Sequence, residues 1–433
     1  MNKRLRFTFV ADSRNRTAVA CLVAALEDLP EVGADSIRVA RPAEAPTLPF
    51  GGLPSTVEIL CMSAMTESVD GTSRLLRRIA ERAKPFISIC GGPHPTSDPA
   101  SALEAGFDYC CVGEGEEVIQ RLARRLAAGE VLPADPADPA NRTGPAHPAH
   151  PTHTAERILR SDTVVHLDSL PALPRHFIFR GYIEIARGCR WTCAYCQNPG
   201  IFGHEERFRS PGRIEETVAL YSARGMQDIR LLAPNALGYA ARAPRTPNCD
   251  ALEDLLDRVK SAAPHGRIFF GSFPSEMRPD YVTSEAIAIL KRYVSNRRLV
   301  IGGQAGSQRI LDLVGRAHTV EDIERASETV ASFGFQPLVD LMIGFPFEEP
   351  EDRQATFALI ARLRPAKARF TMHFFMPLPG TRLAGTSPRF LSDRERRHID
   401  GLAQQGLIRG RWRRQEEFAR QCTSDEPETN PSR

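Results

Sequence analysis

No stretch of the 433 residues approaches the ~20 consecutive apolar residues that a membrane-spanning helix needs, so no membrane partner is expected. An export signal is lacking too. In MNKRLRFTFVADSRN basic residues precede an apolar run, but FTFVA is too short for a signal core and reads as a first buried strand. Charge of one sign is also scarce. The 56 Lys and Arg against 53 Asp and Glu leave a net charge of +3, too little to argue for nucleic acid or an anionic lipid surface. These absences point to the cytoplasm, where stable disulfides are rare. The ten cysteines are therefore expected to bind metal, to do redox chemistry or to sit as ordinary buried thiols.

What is present is a long alternation of strand-like and helix-like patterns. RFTFV (6–10), DSIRVA (35–40), TVEILCM (56–62), PFISIC (85–90) and DYCCV (108–112) read as strands, with helical spacing between most of them. That order predicts a five-stranded, flavodoxin-like parallel sheet over residues 1–130, with any ligand beyond the carboxyl ends of its strands. Residues 131–157 are dense in Pro and Ala and read as an extended linker; His147, His150 and His153 recur there at steps of three with nothing to hold them as ligands. The alternation resumes with YIEIA (182–186), DIRLLA (228–233), RIFFGSF (267–273), RLVIGG (298–303), QPLVDLMIGF (336–345) and RFTMHFF (369–375). Roughly six βα units predict a partial (β/α)6 barrel over 158–385, with working residues at the strands' carboxyl ends. Residues 386–433 read as a helical segment with a frayed tail, and the basic run IRGRWRRQ (408–415) as a solvated face.

Directly after YIEIA, the stretch GCRWTCAYC carries Cys189, Cys193 and Cys196. Three thiolates on one loop can hold an iron–sulfur cluster. No fourth cysteine is near, since the next is Cys249 on a Pro-rich loop, so one iron would stay open to an outside ligand.

This C-x3-C-x2-C spacing, with Tyr195 before the third cysteine, resembles the radical S-adenosylmethionine (SAM) superfamily. The resemblance implies a [4Fe–4S] cluster on the three cysteines, with its unique iron chelating SAM. It also implies reductive cleavage of SAM to methionine and a 5′-deoxyadenosyl radical, and an external flavodoxin- or ferredoxin-type electron donor. VIGGQAGSQRILDLVGRAHTVEDI (300–323), containing Gln304, resembles the segment that contacts SAM adenosine in that superfamily; LVDLMIGFPFEEPED and FFMPLPGT resemble two further segments. The Gly-Gly-Glu element that often binds the SAM amino group is missing. LLAPNALGYA stands in its place, which assigns the backbone of Ala233 and Pro234, or the Asn235 side chain, to that task. Ser275, Glu276 and Arg278 follow the third strand; a carboxylate there suits the ribose hydroxyls, and an arginine suits the SAM carboxylate through a bidentate pair.

In the first domain, ICGGPHP contains Gly91, Gly92, Pro93 and His94, and VGEGEE contains Gly113, Glu114, Gly115 and Glu116. Two glycine-rich turns after strands, ahead of the three-cysteine motif, resemble the cobalamin (B12) domain of the B12-dependent radical SAM branch. The Asp-x-His-x-x-Gly ligand motif of many B12 domains is not complete: in ADSRNRTA, Arg14 stands where the histidine would be and Thr17 where the glycine would be. An arginine stays protonated and is a poor cobalt ligand, so no histidine is expected on the lower face; His94 is read as a contact to the loop or to the corrin edge. The implied activity is methyl transfer to an unreactive carbon or phosphorus centre of an unidentified substrate. Radical cyclisation, ring contraction or oxidoreduction remain alternatives, as does a cobalamin or redox sensor. Cys21, Cys61 and Cys90 raise the further alternative of a second cluster, as in methylthiotransferases, against the plainer reading of buried thiols.

Overall fold

The computed structural model describes residues 3–50, 56–82, 86–130, 155–177, 179 and 181–424. Most of the expected linker, with its three histidines, and the last nine residues lie outside the described residues. The chain divides into two compact units, Met1–Ile183 with Gly200–Gly203, and Glu184–Pro199 with His204–Arg433.

The first unit is a parallel sheet of β1 (Arg4–Val10), β2 (Ile37–Ala40), β3 (Thr56–Ser63), β4 (Ile87–Gly91), β5 (Tyr109–Val112) and β6 (Ile158–Arg160), in the order β2-β1-β3-β4-β5-β6. Its helices are α1 (Arg16–Leu26), α2 (Val69–Ala80), the short α3 (Pro93–Ser97) and α4 (Pro99–Glu104), and α5 (Glu116–Ala127). Period-2 alternation sends Leu5, Phe7 and Phe9 of β1 into one core with Val23 and Leu26 of α1 and Leu122 and Leu126 of α5. Leu60 and Met62 of β3 go into a second core with Leu76 and Ile79 of α2. Both faces are thus covered, as a parallel sheet requires.

Two expectations need correction. The barrel domain does not open at residue 158. Ile158, Leu159 and Arg160 pair with Cys110, Cys111 and Val112, and Arg157 donates to the carbonyls of Phe107 and Asp108, so this strand belongs to the first unit. Three residues with no helical or alternating context carry too little pattern to be seen as a strand. The GGPHP stretch is likewise not a loop throughout, since Pro93 opens α3, where its missing N–H has no intrahelical acceptor to lose.

The second unit runs β7 (Ile183–Glu184), β8 (Ala186–Arg187), α6 (Asn198–Phe202), β9 (Arg207–Phe208), α7 (Pro211–Ala223), β10 (Asp228–Leu232), α8 (Cys249–Ala262), β11 (Arg267–Phe269), α9 (Ser284–Tyr293), β12 (Arg298–Gln304), α10 (Gln308–Leu313), α11 (Val320–Ser332), β13 (Gln336–Ile343), α12 (Pro350–Arg362), β14 (Arg369–Phe374), α13 (Asp393–Gln404), β15 (Ile408–Arg409) and α14 (Trp412–Ser424). The strands form the runs β7-β10-β11 and β12-β13-β14-β15, with β10–β11 and every pair of the second run parallel, and a separate antiparallel pair β8-β9. Backbone bonds from Val300 N–H to Gly271 O and from Met277 N–H to Val300 O join the two runs into one open barrel wall. Side-chain caps start the helices at Ser210, Asn248, Thr283, Ser307 and Thr319. The basic run 408–415 keeps Arg409, Arg411, Arg413 and Arg414 exposed, as a solvated face does, while its apolar residues are used by the fold. Ile408–Arg409 form β15 against Phe370 and Thr371, and Trp412 is buried at the start of α14.

Candidate functional site

The cysteine loop leaves β8 through Gly188, whose φ is +83°. A Cβ at Gly188 would collide with the carbonyl of Glu205, so only glycine fits this turn. The loop is then held from several sides. Ala194 N–H donates to Val314 O, Leu383 N–H donates to Ala194 O, and Gln197 Nε2 donates to Pro379 O. Cys189, Cys193 and Cys196 are unpaired thiols, each partly buried. Burial raises the pKa of Cys189 and pushes Cys196 up to about 11. Among the described residues no three His, Cys, Asp or Glu side chains converge as ligands of a single metal ion. The three thiols stand close enough for charge on one to be felt by the others. Thiolates that each take a different iron of a cluster need not converge on one point as ligands of a single ion do.

Around this loop the barrel gathers polar groups from four places in the chain. Arg316, just past α10, is buried. Its Nη1 lies 3.5 Å from Cys193 Sγ, and its Nη2 donates to Gly302 O at 2.6 Å. Burial works against its charge, but Tyr195, Cys193 and Glu276 nearby more than offset that, and its pKa is raised. Gln304, at the end of β12, places Nε2 3.5 Å from Glu276 Oε2. Asp340 of β13 is buried; burial, then the charge of Glu276, pushes it up to about 7. Glu276 is itself raised by burial, against the pull of Arg316 and Arg278. Two carboxyls and one cation thus share a poorly hydrated space beside the thiols. Tyr195 packs on Phe345, with ring centroids 5.9 Å apart.

Other expected residues are already engaged by the protein. The Ser275 hydroxyl accepts from Ala233 N–H at 3.1 Å and donates to Ala233 O at 2.9 Å, clamping the end of β10 to the segment after β11. These two bonds take up its proton and one of its two lone pairs. Arg278 cannot offer a bidentate fork: Nε and Nη2 both face Asp280, at 3.1 and 3.0 Å, and its guanidinium stacks on Trp191, 3.8 Å from the ring centroid. Asn235 Oδ1 accepts from Arg278 N–H at 3.1 Å. Pro234, between Ala233 and Asn235, is half-buried.

Among the buried atoms of this neighbourhood that lack a protein partner are Trp191 Nε1, Asn235 Nδ2, Arg278 Nη1 and Arg316 Nε. All are donors, which suits the carboxylate and other acceptor atoms of a bound molecule. Asp340 Oδ1 is a buried acceptor without a partner, which suits a hydroxyl or ammonium group. The donor set therefore fits SAM, and the thiols fit the cluster. Arg316 and Asp340 were missed from sequence. Arg316 lies inside the quoted 300–323 stretch, but nothing linear shows that it folds back onto Gly302 and Cys193.

In the first unit, Gly92 has φ +103° and its missing side chain makes room for Ser63, whose Oγ would stand 2.6 Å from a Cβ there. Gly91 packs on Cys111. Gly113 has φ +80° and donates its N–H to Thr96 Oγ1. Gly115 packs against Leu22 and Cys111, so its smallness serves the contact of α1 with α5. Glu114 and Glu116 are buried, Glu116 in the first turn of α5. His94 is buried, with Nδ1 3.4 Å from Thr66 Oγ1 and Nε2 3.1 Å from Ser101 Oγ; burial lowers its pKa. Arg14 forks onto Asp12. Cys61 and Cys90 lie in cores on opposite faces of the sheet, so they do not converge as a second cluster site.

The fold and site thus define a two-unit α/β protein with a flavodoxin-like sheet and an open parallel barrel carrying three thiols at its mouth. The family model of the radical SAM superfamily matches residues 183–360, and that of the B12 binding domain matches residues 55–123. The chain thus carries a stretch that matches radical SAM domains and, ahead of it, one that matches B12-binding domains. It is 33% identical over 234 residues to a tRNA-2-methylthio-N(6)-dimethylallyladenosine synthase of Chlorobium phaeobacteroides (strain BS1), covering 53% of this chain and 50% of that protein. The chain spans about half the length of several such curated relatives. The radical SAM methyltransferase TsrM of Kitasatospora setae, solved with cobalamin and a [4Fe–4S] cluster, superposes with a TM-score of 0.62 at 17% identity, over 88% of this chain and 74% of that one. The cobalamin-dependent radical enzyme OxsB gives 0.60 at 13%, over 83% and 52%. These two likenesses establish the fold. No helix among the described residues is long and apolar enough to cross a membrane.

Proposed function

We propose that this chain is a cobalamin-dependent radical SAM enzyme that transfers a methyl group to an unactivated carbon or phosphorus centre of its substrate. The observation that carries the reading is the meeting of the cysteine loop with unpartnered buried donors: Arg316 bridges Cys193 to the end of β12, while Asn235 Nδ2, Arg278 Nη1 and Arg316 Nε await acceptors. Cys189, Cys193 and Cys196 would hold a [4Fe–4S] cluster, and the first unit would hold cobalamin. Bound together, cluster, SAM and cobalamin supply an electron, a deoxyadenosyl radical and a transferable methyl group.

The protein's own part is placement and exclusion of water. Arg316 balances negative charge beside Cys193 and offers Nε to the SAM carboxylate. Glu276, Gln304 and Asp340 supply hydrogen bonds for the ribose hydroxyls and the ammonium group. Asp340, with its pKa near neutrality, accepts or donates a hydrogen bond as needed. Tyr195 and Phe345 wall the site with aromatic surface. An external one-electron donor of flavodoxin or ferredoxin type completes the requirements.

Anaerobic reconstitution tests the reading. It should give about four irons per chain, one per corner of a [4Fe–4S] cluster, and deoxyadenosine should be released from SAM under reducing conditions. The Cys189→Ala/Cys193→Ala/Cys196→Ala variant should lose both. Full iron and sulfide content in that variant would refute the assignment. A product heavier by one methyl separates methyl transfer from cyclisation, ring contraction or oxidoreduction.

A further inference from the structure

Neither Arg14, at the position of the missing axial histidine, nor His94 is free to reach the lower face of cobalt. His94 is buried between the hydroxyls of Thr66 and Ser101, and Arg14 is forked onto Asp12. The strand order β2-β1-β3 reverses the direction of chain progress between β1 and β3. Ligands of such sheets sit beyond the carboxyl ends of the strands at that switch point. On the β1 side the chain continues into Asp12 and Arg14. On the β3 side it continues through Ser63 and buried Ala64 to Met65, which is 42% exposed and is one of four large apolar side chains left in solvent among the described residues. Ala64 is fixed in turn: its N–H donates to Gly91 O and its carbonyl accepts from His94 N–H. Met65 is therefore an apolar, polarisable side chain presented on a rigid strand end, where the cofactor of this domain is expected.

We infer that Met65 packs against the lower face of the corrin and covers cobalt there, keeping water off the metal without supplying a strong ligand. An unbranched thioether is shaped for such a cover: it is flexible, apolar and at most a weak donor. The inference rests on the proposed binding of cobalamin by the first unit. It explains how a B12 domain without an axial histidine keeps cobalt free of solvent as well as of nitrogen.

The test uses the full chain loaded with hydroxocobalamin and reduced to the cob(II)alamin form. Binding is read as cobalamin retained per chain, and the lower face by electron paramagnetic resonance and visible absorption. The unmodified protein should show no nitrogen superhyperfine splitting and no water-ligated signal. Met65→Leu should match it, because an apolar cover remains. Met65→Ala should acquire the water-ligated signal, and Met65→His should acquire nitrogen splitting. Retained cobalamin with identical spectra in all four proteins overturns the assignment of Met65 alone. Loss of cobalamin from all four, the unmodified chain included, overturns the cofactor reading and this assignment with it. Met65 is exposed and its substitution leaves both cores intact, so misfolding does not stand in the way.

Discussion

Arg316 is the residue on which the candidate site turns, because one buried guanidinium reaches both Cys193 and the backbone of β12. Arg316→Gln keeps the shape of a hydrogen-bonding side chain and removes the charge. It should weaken SAM binding by about 10- to 100-fold, the equivalent of ~1.5–3 kcal/mol for a charged hydrogen bond, as read by equilibrium binding. Iron content should stay near that of the unmodified protein. If SAM affinity is unchanged, Arg316 serves the fold alone. Asp340 makes a pH argument. Its folded pKa, near 7, lies above the ordinary carboxylate value, so its contribution to stability is full below about pH 4 and is lost as pH rises through about 7. Asp340→Asn should therefore gain on the unmodified apo protein by about 2–3 kcal/mol between pH 5 and pH 8, as followed by denaturant unfolding of the barrel. A constant difference across that range would show that Asp340 does not titrate there. The two residues also mark the limit of sequence reading. Cys189, Cys193 and Cys196 were legible because one loop carries all three. Arg316 and Asp340 meet Glu276 and Gln304 only when the barrel wall closes. The same blindness made Ser275 and Arg278 look unengaged, since their partners Ala233 and Asp280 gave no sign of engaging them.

Among the elements, the turn between β8 and the cysteine loop is the most constrained. Gly188→Ala meets both a positive φ and the carbonyl of Glu205. The loop must move to accept it, and iron content after reconstitution should fall by half or more although no cysteine is touched. Gly212→Ala, in the first turn of α7 with open space around it, is the control. It should leave iron loading unchanged and raise stability slightly, by roughly 0.5–1 kcal/mol. Long strands and capped helices were legible: β3, β12, β13, α7 and α11 carry enough residues for a period to show. The short strands β6 and β15 were not, because their hydrogen bonds come from neighbours distant in sequence, β5 and β14. In β15 the two arginines that flank Gly410 masked Ile408 and the buried Trp412 behind a basic pattern.

At the scale of the whole molecule, the residues of the candidate cluster site and those of the candidate cobalamin site fall in different units. The triple cysteine variant should accordingly retain cobalamin at the same stoichiometry as the unmodified protein, measured by absorbance after gel filtration; parallel loss of iron and cobalamin would show that the sites depend on one another. The pairing of β6 with β5 carries a further consequence. The proline- and alanine-rich stretch 131–154 joins two parts of one sheet, α5 on one side and β6 on the other, so it is not a tether between the units. Leu159, Leu170, Phe177 and Phe179, all downstream of it, pack on the core that Phe7 and Leu122 build upstream. A protease that cleaves within that stretch should therefore give two bands on a denaturing gel and a single species in native chromatography. The same property makes the stretch a place to open the reading frame: the halves on either side, made as separate polypeptides, have a shared hydrophobic core to reassemble around.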